Sequence, residues 1–419
     1  MRVLLISSNT ERITMVTIPL GLGMVAAASR TAGHEVSFLD LLDEDDLGTA
    51  IRRAVAAGRP EVIGISVRNI DDQSRESPRF LLERVKPVVA ACRACTDAPV
   101  VLGGAGYSIF PDAALAYLGA DFGVCGDGEA VFPALLERLR DGRDPSDLPG
   151  VHTAGRPTWN EPCFEESLDA LPLWDGALDD IADPASPELW VPVQSRRGCP
   201  NDCAYCSTAS IQGRRIRLHA PRQVVERVAK LAGAGFQRFY FVDNSFNIPV
   251  SQAFAICHWM RELAPGVTWR CILYPHLIGE TLVRALAEAG CVEVSLGFES
   301  GSAAVLRELN KRFTPADVRA AADLLRAHGI RRMGFLLLGG PGETRETVEE
   351  SLAFAESLGL DSLRVTVGIR IYPGTPLARR AVQDGVISAG DDLLRPRFYL
   401  APGLEPWIHE RVAHLTQRS

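Results

Sequence analysis

The stretch GCPNDCAYCS (198–207) places three cysteines within ten residues, at the spacing C-x3-C-x2-C, with a tyrosine directly before the last one. It follows VPVQSR (191–196), an apolar run that is typical of a β-strand. Cys199, Cys203 and Cys206 therefore lie in a loop after a strand, where α/β barrels carry their functional groups. Three thiols so close together, in a chain of ten cysteines, indicate a metal site or catalysis rather than disulfides.

The composition is that of a globular protein with a modest net charge. The chain has 419 residues, 47% hydrophobic and 23% charged, and a net charge of −8. Because it has no basic stripe, we expect no nucleic-acid binding, and because no apolar run reaches about 18 residues, we expect no membrane span. The N-terminal MRVLLISSNT turns polar too early for a signal peptide, so a cytoplasmic protein is expected. The densest basic patch contains Arg214, Arg215 and Arg217, and it either holds a phosphate or carboxylate or is a solvated turn.

Residues 1–145 alternate strand and helix signals, which predicts a flavodoxin-like or Rossmann-like α/β domain with a parallel sheet. Ligands of such domains bind at the carboxyl ends of the strands. Residues 146–188 are rich in Pro, Asp and Trp, and we interpret them as a linker. The predicted strands are RVLLIS (2–7), EVSFLD (35–40), VIGISV (62–67), PVVLGG (99–104) and DFGVCG (121–126).

Residues 189–378 resume the alternation and predict a partial (β/α)6 barrel of the TIM type, followed by a C-terminal cap over residues 379–419. The helix signals are strong in TPADVRAAADLLRAHG, where Thr314 is expected to cap the helix and Asp317 lies three residues later. The predicted barrel strands are VPVQSR (191–196), RFYFVD (238–243), VTWRCIL (267–273), VEVSLGF (292–298), MGFLLL (333–338) and SLRVTVGI (362–369).

The three-cysteine loop suits an iron–sulfur cluster better than a zinc ion. Structural zinc sites have four ligands, often as two pairs, and His219, Cys257 and His258 are the nearest later candidates without forming a second C-x-x-C pair. Three thiolates around a four-iron cube leave one iron open to a substrate or cofactor. The alternatives are a zinc knuckle completed from elsewhere in the chain or a chance cluster of cysteines.

The loop and the barrel together resemble the radical S-adenosylmethionine (SAM) enzymes over about residues 189–378. The resemblance implies that Cys199, Cys203 and Cys206 hold a [4Fe–4S] cluster, and that SAM chelates its fourth iron. It also implies that Tyr205, the aromatic residue before the last cysteine, lies near the SAM adenine. One electron then cleaves SAM to methionine and a 5′-deoxyadenosyl radical.

Three more segments, each at the end of a predicted strand, resemble SAM-binding segments of these enzymes more weakly. FVDNSF (241–246) resembles the segment that contacts the SAM amino group, and SLGFES (295–300) the one that holds ribose hydroxyls or the methionyl part. GFLLLGGPGET (334–344) resembles a glycine-rich segment whose backbone approaches the nucleoside. Each carboxylate is alternatively an ordinary strand-end residue. The candidate residues are Asp243, Asn244, Ser295, Glu299, Gly339 and Gly340.

Residues 1–140 resemble the cobalamin-binding domain that is fused to one class of radical SAM proteins. The D-x-H-x-x-G motif, whose histidine binds cobalt in other cobalamin proteins, is absent. Arg68, at the end of the third strand, is expected to face the lower side of the cobalt or the corrin amides, or else to pair with Asp71 or Asp72. By the resemblance, the residues that line the nucleotide-tail groove and close the adjacent loop are Gly103, Gly104, Ser108, Gly126, Asp127, Gly128 and Glu129.

The resemblance implies a cobalamin-dependent radical SAM methylase. It would methylate an unactivated carbon or phosphorus of a small-molecule or peptide natural-product intermediate through methylcobalamin, with an external electron donor of the flavodoxin or ferredoxin type. Two alternatives stay open. One is an enzyme of the same fold that catalyses cyclisation, ring contraction or another rearrangement, with or without cobalamin. The other is a non-catalytic iron–sulfur or zinc protein that binds or senses.

Overall fold

The computed structural model describes residues 1–12, 18–156, 160–173, 183–186 and 188–416 and divides into two compact units. The N-terminal unit contains Met1–Asp72, Pro78–Leu189 and Ser207–Arg217. The barrel unit contains Gln73–Ser77, Trp190–Cys206 and Leu218–Ser419. Residues 73–77 thus belong to the barrel unit, although the residues on both sides of them in the chain belong to the N-terminal unit. Residues 207–217 belong to the N-terminal unit, although they lie within the barrel part of the chain. No helix of the described ranges is long and apolar enough to cross a membrane.

The N-terminal unit is built on one six-stranded sheet within the described residues, in the order β2-β1-β3-β4-β5-β6. Its strands are β1 (Arg2–Ser7), β2 (Glu35–Asp40), β3 (Val62–Ser66), β4 (Val100–Gly103), β5 (Phe122–Val124) and β6 (Val151–Thr153). Its helices are α1 (Leu20–Thr31), α2 (Leu47–Gly58), α3 (Leu82–Cys95), α4 (Ala105–Ile109), α5 (Pro111–Leu118), α6 (Gly128–Arg140) and α7 (Thr208–Gln212), with a 3-10 turn at Leu168–Ala170.

The first five strands of this sheet are parallel, as the alternation predicts. β1 is buried over almost its whole length, because a parallel sheet is covered by helices on both faces. β6 pairs antiparallel to β5, so Val151–Thr153 extends the sheet although the sequence places it in a linker. Residues 157–159, 174–182 and 187 of that predicted linker lie outside the described residues.

The barrel unit carries a second six-stranded sheet in the described residues, in the order β14-β13-β12-β11-β10-β7. These strands are β7 (Val191–Val193), β10 (Arg238–Phe241), β11 (Thr268–Leu273), β12 (Cys291–Glu299), β13 (Arg331–Leu338) and β14 (Ser362–Val367). Shorter strands are β8 (Arg196–Arg197), β9 (Arg217–Leu218), β15 (Ile369–Arg370) and β16 (Phe398–Tyr399). The helices are α8 (Pro221–Gly233), α9 (Val250–Leu263), α10 (Glu280–Glu288), α11 (Ala303–Glu308), α12 (Pro315–Ala327), α13 (Arg345–Ser357), α14 (Pro376–Gln383) and α15 (Trp407–Thr416).

All pairings of the six long barrel strands are parallel, and the spatial order follows the chain order. This is the predicted partial (β/α)6 barrel, so the predicted fold class is confirmed. In β11 buried and half-buried residues alternate, because one face packs under the helices while the other lines the accessible inner side. The predicted cap of α12 is also present, since the side chain of Thr314 accepts from Asp317 N and the Asp317 carboxylate accepts from Thr314 N.

Candidate active site

The three cysteines lie in the loop between β8 and α7, which begins at Gly198 with a φ of +85°. Cys199 and Cys203 are half-buried and Cys206 is exposed, and none of them forms a disulfide within the described residues. Cys206 N donates a hydrogen bond to Cys203 O over 3.2 Å, which closes a tight turn between the last two thiols. The loop thus presents three thiols on one short segment with an open side.

The groups around Cys203 act on its thiol in both directions. Burial raises the pKa of the Cys203 thiol, the neighbouring Cys206 and Cys199 raise it further, and the Lys311 ammonium opposes them. Over the ranges that the structure describes, no group of three or more His, Cys, Asp or Glu side chains is arranged around one metal ion. A four-iron cube instead takes one thiolate on each of three irons, which three separated thiols can supply.

Arg196 anchors the start of the cysteine loop. The residue is 2% exposed, and its Nη1 donates to Ser245 O over 3.0 Å and to Ile248 O. Its Nη2 donates to Gly198 O, the residue directly before Cys199. One buried guanidinium thus ties the loop that follows β10 to the first residue of the cysteine loop. Sequence reasoning missed this role, because the arginine stands in the quoted segment but its carbonyl partners lie about 50 residues away.

Asp243 fastens the same region from the end of β10. Its carboxylate accepts hydrogen bonds from Ser195 N (2.9 Å), Arg196 N (3.1 Å) and Ser195 Oγ (2.5 Å). Burial raises the pKa of Asp243 to about 6, although these hydrogen bonds and the Arg196 charge act in the opposite direction. Asp243 therefore holds the connection that leads into the cysteine loop. Its contact with SAM, and that of the half-buried Asn244, stay predictions.

Tyr205 and Glu299 meet in a buried polar group with Lys311. Tyr205 Oη donates to Glu299 Oε1 over 2.8 Å, and Lys311 Nζ donates to both oxygens, over 3.0 Å and 3.1 Å. Glu299 has a φ of +62°, and the strand pairing shifts register between Gly297 and Glu299, so the carboxylate leaves the regular strand at this point. Burial, with Glu299 adding to it, raises the pKa of Tyr205 well above its ordinary value.

Lys311 stays charged in this group. Burial alone would lower the pKa of Lys311, but the Glu299 carboxylate, Tyr205 and Cys203 together raise it well above its ordinary value. The two predicted site residues, Tyr205 and Glu299, are thus brought together, and the third member was missed. Lys311 lies in a segment without a recognisable motif, so its role depends on the fold.

The glycine-rich segment after β13 is organised by Glu343, which the sequence reasoning also missed. Glu343 Oε2 accepts from Gly339 N, and from Gly340 N over 2.9 Å, so both amides are already used within the chain. Oε1 is buried and has no hydrogen-bond partner among the described residues. Burial raises the pKa of Glu343 to about 7. The approach of Gly339 and Gly340 to a nucleoside remains a prediction.

Ser295 lies on β12 and is 7% exposed. Its Oγ donates to Met333 Sδ on the neighbouring strand β13 over 3.7 Å. The hydroxyl is thus part of the strand packing, and its contact with SAM stays a prediction.

The glycine turn after β4 presents its backbone at the carboxyl end of the first sheet. Gly104 is exposed and has a φ of +97°, and an added Cβ would come within 2.7 Å of Val67 O. Gly103 is half-buried, and Ser108 is buried with its hydroxyl against the Cys125 thiol. An exposed turn that only glycine can adopt fits the close approach of a cofactor.

The loop of Gly126 to Glu129 is packed against the chain itself. Gly126 has a φ of +96°, and an added Cβ would lie 2.0 Å from Cys163 O. Asp127 accepts from Glu165 N over 2.8 Å and forms a salt bridge with Arg217, whose side chain is equally buried. Arg217 is thus half of a buried ion pair. Arg214 and Arg215 are exposed, so the three arginines of the predicted basic patch do not all face the solvent.

The other predicted residues of the N-terminal unit lie nearby. Gly128 is the first residue of α6, and Glu129 is 6% exposed in its first turn. Arg68 is exposed after the carboxyl end of β3 and lines a small cavity of about 20 Å³ with Ser8, Asn9 and Glu11. The roles of these residues toward cobalamin remain predictions.

Family models match both units of the chain. The radical SAM superfamily model matches residues 193–355, which contain the cysteine loop and the strands from β10 to β13. The B12 binding domain model matches residues 7–136, which contain most of the first sheet.

Relatives match over nearly the whole chain. The sequence is 26% identical to an uncharacterized methyltransferase, PH0819, of Pyrococcus horikoshii, over 92% of this chain and 84% of that protein. It is 25% identical to the cytidylyl-2-hydroxyethylphosphonate methyltransferase of Streptomyces wedmorensis, over 96% and 85%. The solved structure of the radical SAM methyltransferase TsrM from Kitasatospora setae, with tryptophan substrate and a SAM analogue bound, has the same fold, with a TM-score of 0.86 at 24% identity over 99% of this chain and 88% of that chain.

The two family matches occur in one chain and in the order of its two sheets. Their placement agrees with the three-cysteine loop at the carboxyl end of the barrel and with the glycine turn at the carboxyl end of the first sheet. The chain therefore combines a radical SAM domain with a B12-binding domain.

Proposed function

We propose that this protein is a cobalamin-dependent radical SAM methyltransferase that methylates an unactivated carbon or phosphorus of a small-molecule or peptide intermediate. One observation carries the proposal. Cys199, Cys203 and Cys206 are held on a single loop at the carboxyl end of a parallel partial barrel, in a chain that also contains a B12-binding domain.

The residues of the chain position and shield the cofactors, which supply the hard chemistry. When bound, the cluster and SAM supply one-electron chemistry and cobalamin supplies methyl transfer. Arg196 and Asp243 fix the start of the cysteine loop, and the Glu299 carboxylate lies beside its last turn. Glu299 Oε1 accepts hydrogen bonds from Tyr205 and Lys311, which fixes the carboxylate beside the cysteine loop.

The relatives support methylation as the reaction class and leave the acceptor open. The named acceptors of the Streptomyces and Kitasatospora proteins are a cytidylyl phosphonate and tryptophan, which share little chemistry. We therefore propose the class of reaction and not one acceptor. The activity requires an external one-electron donor, and a flavodoxin or ferredoxin of the cytoplasm is the class that we propose, since the exposed Cys206 leaves one side of the loop accessible.

The test measures the products of SAM and needs no knowledge of the acceptor. The full chain is reconstituted anaerobically with iron, sulfide and hydroxocobalamin and incubated with SAM and a reductant. The expected result is 5′-deoxyadenosine together with S-adenosylhomocysteine that forms only with added cobalamin. Formation of 5′-deoxyadenosine without S-adenosylhomocysteine would instead favour a rearrangement. Cys203→Ala is expected to abolish the products of radical cleavage, whereas Cys95→Ala, which removes a half-buried thiol of α3, is the matched control.

A further inference from the structure

Lysine is rare in this chain. Of its 44 basic residues only Lys86, Lys230 and Lys311 are lysines, and the rest are arginines. Lys86 and Lys230 are exposed on helices, as surface lysines commonly are. The side chain of Lys311 is 6% exposed. Where arginine fills almost every basic position, a buried lysine indicates a site that requires an ammonium group.

The surroundings of Lys311 match that requirement. Nζ lies 5.1 Å from the ring centroid of Tyr205, 6.0 Å from that of Tyr274 and 5.9 Å from that of Phe313. It also donates to Tyr205 Oη and Glu299 Oε1. A compact ammonium donates in three directions and is attracted to aromatic faces, whereas the donors of a guanidinium lie in one plane.

The residues on either side of Lys311 are fastened to the cysteine loop one by one. Leu309 O accepts from Ala204 N over 3.0 Å, and Asn310 Nδ2 donates to Asp202 O over 3.0 Å. Arg312 Nη2 donates to Asp202 Oδ1 over 3.1 Å. The segment Leu309–Arg312, here called the clamp, thus follows the loop from Asp202 to Tyr205 with Lys311 as its buried member.

We propose that Lys311 is a positioning residue that fixes the cysteine loop through Tyr205 and places a positive charge beside that loop, so that the bound cluster is easier to reduce. This inference rests on the proposed function only in that the three cysteines must hold an iron–sulfur cluster. It adds a determinant of the reduction potential that no motif of the chain indicates.

The direction of the effect of Lys311 on the reduction potential follows from electrostatics. Reduction adds one negative charge to the cluster, and a nearby cation stabilises the reduced form, since charge and hydrogen bonding set the potentials of such clusters. Glu299 offsets part of the Lys311 charge. Replacing Lys311 alone removes the cation and leaves the Glu299 carboxylate, so the reduced cluster loses stabilisation.

The experiment compares the parent, Lys311→Met, Lys311→Arg and Lys230→Met, each as the full chain reconstituted anaerobically. Iron is counted per chain, and the cluster is titrated with a reductant of known potential and followed by electron paramagnetic resonance. Lys311→Met is expected to lower the ratio of reduced to oxidised cluster about tenfold at a fixed potential, a shift of about 59 mV to more negative values for a one-electron couple. Lys230→Met, which removes an exposed lysine of α8, is expected to match the parent. Lys311→Arg keeps the charge but not the shape of the ammonium, so its midpoint is expected to lie closer to that of the parent than the midpoint of Lys311→Met does.

An unchanged midpoint in a Lys311→Met protein that holds as much iron as the parent overturns the inference. If Lys311→Met does not retain iron, Lys311→Gln replaces it, because it also removes the positive charge and keeps a group that hydrogen-bonds to Tyr205 and Glu299. Its midpoint is expected to shift in the same direction, and a midpoint equal to the parent's overturns the inference. A parent that takes up no iron contradicts the proposed function instead.

Discussion

Tyr205 Oη lies 2.8 Å from Glu299 Oε1, so the aromatic residue of the cysteine loop is hydrogen-bonded to the carboxylate at the end of β12. The two residues are 94 positions apart in the chain. Sequence resemblance assigns each of them separately to SAM, and the structure adds that they are bonded to each other.

Tyr205→Phe is expected to lower the free energy of unfolding of the cluster-free protein by about 2 kcal/mol, because a buried hydrogen bond to a charged group is lost. Urea unfolding measures the change. Tyr117→Phe is the matched control, since no hydrogen bond of the half-buried Tyr117 hydroxyl is present within the described residues. Equal stabilities of the two variants would show that the Tyr205–Glu299 bond contributes nothing.

The ionisation of Glu343 predicts a pH dependence. Its pKa is about 7 in the folded protein against an ordinary value of 4.5, so the folded state binds the proton more tightly. The contribution to stability is therefore complete below pH 4.5, falls as the pH rises and is lost above pH 7.

Glu343→Gln removes this ionisation and keeps an oxygen to accept from Gly339 N and Gly340 N. Between pH 5 and pH 8 the free energy of unfolding of the variant is expected to rise relative to the parent by about 2.5 kcal/mol. Urea unfolding over this range measures the difference. Parallel pH profiles of the two proteins would contradict a buried, proton-binding Glu343.

Arg217→Met is expected to lower the free energy of unfolding by about 3–5 kcal/mol, because it leaves the buried Asp127 carboxylate without its cation. Arg215→Met is the matched control in the same segment. Its side chain is 72% exposed and lies 3.7 Å from an exposed Glu166, so a cost below about 1 kcal/mol is expected. Similar costs at both positions would remove the distinction between a buried and a solvated arginine.

Gly126→Ala is expected to cost about 3 kcal/mol, because alanine is strained at a φ of +96° and its Cβ would overlap Cys163 O. Gly119→Ala separates the two effects. Gly119 also has a positive φ, of +67°, but no atom lies within 4 Å of an added Cβ, so a cost of about 1 kcal/mol is expected. Thermal unfolding of both variants measures the difference, and equal values would mean that the contact with Cys163 is relieved without cost.

Much of the fold could be predicted from the sequence, because hydrophobic runs and turn residues are local signals. The strands of both sheets and the capping box of Thr314 and Asp317 are examples. The cysteine loop could be predicted as well, because its chemistry lies within ten residues. β6 could not, since three residues in a Pro-rich and Trp-rich segment carry no clear period.

The partners of the site residues could not be predicted, because they depend on topology. Asp127 and Arg217 are 90 residues apart, and Tyr205 and Lys311 are 106 apart. Glu343 accepts hydrogen bonds from the backbone amides of Gly339 and Gly340, which the sequence resemblance places near a nucleoside. The sequence does not show where the side chain of a carboxylate near a glycine turn points. The scarcity of lysine was the one signal in the sequence that pointed to Lys311.

The most direct test of the proposed function counts the metals of the anaerobically reconstituted chain after gel filtration. We expect about four iron atoms and one cobalt atom per chain, with the iron lost in Cys203→Ala and retained in Cys95→Ala. Iron without cobalt would contradict the cobalamin-dependent reaction. Zinc in place of iron would contradict the assignment of Cys199, Cys203 and Cys206 as ligands of an iron–sulfur cluster.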